Sequence, residues 1–110
     1  MKHYLLFYSF IDGYLERRAQ YRDVHLKHAW DAQRGGTLVL AGALTDPVDT
    51  GVLLFQAGSP DVVNEFARTD PYVVNGLVTS WRVREWVTVV GEAARTPVRP
   101  EDLVNTQGSR

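Results

Sequence analysis

The run from His3 to Phe10 (HYLLFYSF) is apolar on both alternating sets of a strand. Leu5 and Phe7 fall on one set, and Tyr4, Leu6, Tyr8 and Phe10 on the other. Asp12-Gly13 ends this strand, with Asp12 the expected N-cap of the next element. From Tyr14 to Arg34 the period changes to helical. Leu15, Ala19, Leu26, Ala29 and Trp30 recur at three- and four-residue spacings until Gly35-Gly36 stops them. The polar tract Arg17–Arg22 leaves open a late start or an interruption of that helix.

Thr37–Leu44 (TLVLAGAL) predicts a second strand, with Gly42 as the expected bulge, and Gly51–Ala57 (GVLLFQA) a third. Ser59-Pro60-Asp61 supplies an N-cap, an N1 proline and an early acid for a helix to about Arg68. Pro71–Asn75 predicts one more helical turn, closed by Gly76, and Ser80–Val90 a fourth strand. The order β-α-β-β-α-β predicts an α+β, ferredoxin-like domain over residues 1–90 with a four-stranded antiparallel sheet. Residues 91–110, mostly polar with two prolines, read as a tail, mobile or packed on a partner subunit.

The third strand, like the first, is apolar on both sets: Val52 and Leu54 oppose Leu53 and Phe55. Two helices cover one face of such a sheet, so its second face needs another cover. A homodimer packed sheet to sheet is the expectation.

Composition narrows the function classes. The 110 residues carry a net charge of −1, which argues against a protein that works by neutralising phosphates while leaving room for a local basic patch, and no nucleic-acid partner is expected. No cysteine occurs, so disulfides, thiolate nucleophiles and zinc-thiolate sites are excluded. Apolar stretches fall well short of the roughly 20 residues that span a bilayer. Met1-Lys2-His3 leads into a strand without a signal-peptide pattern, so a cytoplasmic protein is expected.

Few residues suggest chemistry. His25 lies beside the apolar stripe of the first helix, and histidine is the side chain most suited to proton transfer at neutral pH. Taken as a lone histidine, it reads first as a boundary residue hydrogen-bonded to a neighbour. His28, one turn on, is expected at the surface. The two histidines lack a third ligand at recognisable spacing, and no metal site is expected.

Asp70 precedes Pro71 and is a ready N-cap for the turn that follows. Its functional alternative is to face His25, orienting the imidazole and stabilising its charged form. Arg22, one turn before His25, could hold an anionic substrate or Asp70 itself. Tyr72, Tyr8 and Trp86 are expected to line a pocket, although strand aromatics are commonly plain core. Arg82 and Arg84 read as a pocket rim or a solvated edge. No phosphate-loop, nucleophile-elbow or H-E-x-x-H spacing occurs.

Taken in order, the aromatic first strand, Arg22-x-x-His25-Leu26, Gly36-Thr37-Leu38 leading to Ala41-Gly42, and Asp70-Pro71-Tyr72 with Gly76 resemble the YCII-related family over about residues 3–90. The resemblance implies a dimeric α/β barrel of ferredoxin-like protomers and an active site on His25 and Asp70. Relatives include muconolactone isomerase-like proteins and a dehydrochlorinase of chlorinated hydroxyquinols. The chain departs from the pattern at Ala43-Leu44, where Gly-Pro is common, and in its polar tail.

The function expected from this is a small cofactor-independent lyase or isomerase. It would act on a hydroxylated aromatic or lactone-like metabolite bound between the first helix and the sheet. The alternatives are a non-catalytic small-molecule-binding or assembly module, and a cofactorless monooxygenase.

Overall fold

In a computed structural model of the chain, which describes residues 1–103, seven elements follow one another. They are β1 (Lys2–Phe10), α1 (Tyr14–Arg34), β2 (Leu38–Ala43), β3 (Thr50–Ala57), α2 (Asp61–Thr69), α3 (Pro71–Val74) and β4 (Val78–Trp86). The strands form one antiparallel sheet in the order β2-β3-β1-β4, the ferredoxin-like arrangement, with the helices on one face. Strand β1 is central because both of its edges are paired, to β3 and to β4.

Both sets of alternating residues in β1 and β3 do what their apolar character demands. Tyr4, Leu6 and Tyr8 of β1, with Leu53, Phe55 and Ala57 of β3, are buried beneath the helices. Val63, Phe66 and Ala67 of α2, Tyr72 of α3 and Leu77 complete that core. On the other face, Leu5 stands opposite Leu54, and Phe7 opposite Val52. These four are only partly buried in the single chain. Leu40, paired with Leu54, extends the patch toward β2 and is 70% exposed. Arg84 and Arg82 face Leu5 and Phe7 from β4. The Arg82 guanidinium carbon lies 5.4 Å from the centre of the Phe7 ring, bordering the patch rather than any pocket on the helical side.

Several local expectations are corrected. Helix α1 is continuous, and its N-cap is Gly13, in the left-handed region at φ 77°, rather than Asp12. A residue with a side chain would be strained there. The tract Arg17–Arg22 does not interrupt the helix. Its non-exposed positions fall on the helical period, so the polar residues between them face solvent.

The buried stripe of α1 is also different from the one hydropathy selects. Tyr14, Arg18, Tyr21, His25, His28, Ala29 and Ala32 are its non-exposed residues, whereas Leu15, Leu26 and Trp30 are exposed. His28 is therefore no surface residue. Its Nε2 lies 3.0 Å from the Phe66 carbonyl, and its ring stacks on Phe66.

The bulge in β2 falls at Val39, between the pairs Leu38–Phe55 and Leu40–Leu54, and Gly42 is regularly paired with Val52. Strand β4 begins and ends earlier than its apolar run suggests. Beyond it the chain returns on itself, with Thr96 N donating to Thr88 O at 3.1 Å and Val98 N to Val89 O at 2.9 Å. Residues 104–110 of the expected tail lie outside the described residues.

Gly51 is where β3 passes the β1–α1 corner. A Cβ there would stand 2.9 Å from the tip of the Phe10 ring, which is stacked on Tyr14 at 3.7 Å. Replacing Gly51 by Val should force that stack apart, at a cost of about 1–3 kcal/mol. The check is urea unfolding, in which the midpoint falls with the slope unchanged.

Candidate active site

Asp70 sits between α2 and α3 in extended geometry (φ −66°, ψ 125°), the conformation favoured before a proline. From there its carboxylate caps α3, Oδ1 accepting from Tyr72 N at 2.9 Å. Two further donors reach it from distant parts of the chain. The Tyr8 hydroxyl on β1 donates to Oδ2 at 2.7 Å, and His25 Nδ1 on α1 lies 2.7 Å from Oδ1. The carboxyl group is wholly buried, whereas the His25 side chain keeps 15% of its surface.

A buried carboxylate with three donors is satisfied in its ionised, acceptor-only form. That form assigns the imidazole hydrogen to Nδ1 and leaves Nε2 as the free ring nitrogen. The orientation is reinforced from the side. The His25 and Tyr72 rings are parallel within 5°, with centres 3.7 Å apart.

The free edge of His25 belongs to a cavity of about 310 Å³ between α1 and the β2 side of the sheet. Its walls are largely apolar, with Phe10, Leu26, Trp30, Leu38 and Leu53 among them. Its lining residues with polar side chains are Tyr8, Tyr14, Arg18, Arg22, His25, Gln33 and Tyr72.

Tyr72 is buried, and its hydroxyl has no hydrogen-bond partner among the described residues. Burial, reinforced by the neighbouring Tyr14 phenol, pushes its ionisation up to about 12, against the pull of Arg22 and Arg18. Burial, and then the adjacent Asp70 carboxylate, likewise raises the Tyr8 phenol above its ordinary range. No group of three or more His, Asp or Glu side chains among the described residues is arranged to hold a metal ion. No helix of the described residues is long and apolar enough to cross a membrane.

Of the residues singled out from the sequence, His25, Asp70, Tyr8, Tyr72 and Arg22 come together here. Trp86 does not. It pairs with His3 at the end of β4, on the opposite face of the sheet, because its register parity is that of Leu5 and Phe7. Tyr14, Arg18 and Trp30 were not singled out as cavity residues. Arg18 was legible as the residue four before Arg22 and seven before His25, a spacing that places all three on one helix face.

A family model described as YCII-related domain matches residues 1–87. Comparison with curated protein sequences gave no match. Among solved structures, the chain is similar to 5-chloro-2-hydroxyhydroquinone dehydrochlorinase (TftG) from Burkholderia phenoliruptrix AC1100, solved in complex with 2,5-dihydroxybenzoquinone. That similarity has a TM-score of 0.67 at 20% identity, covering 78% of this chain and 94% of the other. It is also similar to protein Atu4242 from Agrobacterium tumefaciens, with a TM-score of 0.53 at 17% identity over 86% and 98% of the two chains. At these identities the likeness shows the fold.

The raised Tyr72 phenol has a consequence for stability. In the unfolded chain a tyrosine loses its proton near its ordinary value of 10.0, but Tyr72 in the fold holds it to about 12. The unfolded state therefore binds fewer protons in that interval, and stability falls as pH rises through it. Tyr72→Phe should lose less stability than the parent over the same alkaline range, as read from urea unfolding at successive pH values.

Proposed function

The chain belongs to the YCII-related domain family, and from that premise we propose that it is a small enzyme performing proton-transfer chemistry without a cofactor, of the lyase or isomerase type. The observation that carries this reading is the 2.7 Å contact of His25 Nδ1 with a fully buried Asp70, in a histidine that lines a cavity and whose other ring nitrogen has no hydrogen-bond partner among the described residues. His25 Nε2 takes a proton from a bound hydroxylated aromatic or lactone-like molecule. Asp70 stabilises the imidazolium that forms and is itself held by Tyr8 and the Tyr72 amide. Return of the proton to a neighbouring carbon completes an isomerisation, and departure of chloride completes loss of HCl. Arg22 and Tyr72 position the substrate.

A second reading has one observation in its favour. The three bonds to Asp70 also make it a structural cap, which is what a non-catalytic small-molecule-binding or assembly module would need.

Variants separate the two. Turnover of a panel of chlorinated hydroxyquinols and unsaturated lactones is followed by chloride release and absorbance. For any molecule turned over, His25→Ala and Asp70→Asn should each lower kcat by about 10²–10⁴-fold. Undiminished turnover in both variants, with circular dichroism unchanged, would sink the acid–base reading.

We also propose that the apolar patch of Leu5, Phe7, Val52 and Leu54 is covered by the sheet of a second copy. Light scattering at micromolar concentration should give twice the chain mass. Leu54→Arg should shift that mass to one chain.

A further inference from the structure

The polar lining of the cavity is unbalanced in charge. Arg18 and Arg22 both line it, and no aspartate or glutamate does. Asp70, the nearby carboxylate, is fully buried and already engaged by Tyr8, His25 and the Tyr72 amide. Lys27, Arg34 and Arg68 each have a carboxylate partner, whereas Arg18 and Arg22 are in none of the ion pairs among the described residues. Arg18 lies instead 5.7 Å from the centre of the Tyr14 ring, a contact that leaves its donors open.

Being four apart on one helix, the two arginines are neighbours, about 5–6 Å between Cβ atoms, close enough to share one bound group. A third donor is set beside them. The Tyr72 hydroxyl is buried without a hydrogen bond among the described residues, beside the Tyr14 phenol and within the field of both arginines. An unbonded buried hydroxyl is costly unless a ligand accepts from it.

From this arrangement we infer that the molecule bound in the cavity is an anion: an apolar, ring-sized body carrying one acidic oxygen group, a carboxylate or an ionised ring hydroxyl. Arg18 and Arg22 take its charge, Tyr72 donates to the same group, and Phe10, Leu26 and Leu53 enclose the body. Arg18 is thus a specificity residue of the site. The inference rests on the cavity being the working site, but not on His25 moving a proton.

Calorimetric titration of the full chain with benzoate, pentafluorophenolate and uncharged benzamide tests it. At least one anion should bind saturably and about tenfold or more tightly than benzamide. Which anion binds tells a carboxylate from an ionised hydroxyl. The preference should vanish in the double variant Arg18→Gln/Arg22→Gln and shrink in Tyr72→Phe. Equal affinity for anions and benzamide, no saturable anion binding, or a preference that survives the double variant would overturn it. His25→Ala should keep the preference for anions. Anion binding with turnover undiminished in His25→Ala defeats the acid–base reading alone, and His25-dependent turnover without an anion preference defeats this one alone.

Discussion

Asp70 is the constraint from which the helical side of this fold follows. A carboxylate with none of its surface in water is costly unless donors replace the lost hydration, and here they come from three separate elements. Tyr8 ties it to the central strand, the Tyr72 amide to α3, and His25 to α1. Satisfying one buried charge therefore fixes the depth of α1 over the sheet and the start of α3 together. The cavity lies between α1 and the β2 side of the sheet, and the apolar Leu26 and Trp30 of α1, which helical packing leaves exposed, line it.

Much of the architecture was legible because strands with two apolar faces leave a regular mark. The paired sets in β1 and β3 predict a sheet covered on one side by helices and left with a second apolar face, and the register places Leu5, Phe7, Val52 and Leu54 there. The helix–sheet side was read less well. Hydropathy selects Leu15, Ala19, Leu26, Ala29 and Trp30 as the inner stripe of α1, yet of these only Ala29 is buried, and it is joined by Tyr14, Tyr21 and His25, with Arg18 and His28 among them. These side chains combine apolar bodies with polar tips, so a one-dimensional scale underrates them as packing surface. The same ambiguity hides His28, whose ring is as much a partner of Phe66 as a polar group.

The candidate site shows what local spacing carries and what it omits. Asp70 before Pro71 predicts the cap directly, and the cap is present. The meeting of Asp70 with His25 spans 45 residues, and local chemistry says nothing about it. Trp86 was misplaced for a simpler reason. Strand parity decides which face a side chain occupies, and Trp86 shares the parity of Arg82 and Arg84, opposite to Trp81 and Val83, which pair with Tyr8 and Leu6 of the core face.

The stack between His25 and Tyr72 bears on stereochemistry. With one ring face covered at 3.7 Å and Nδ1 bonded to Asp70, the imidazole cannot turn over without losing both contacts. If Nε2 moves the proton, as proposed, it does so from a single fixed direction. A proton lifted from one carbon of a bound molecule and set down on another would leave and arrive on the same side of its plane. Under that proposal a suprafacial course is what so immobile a ring would favour.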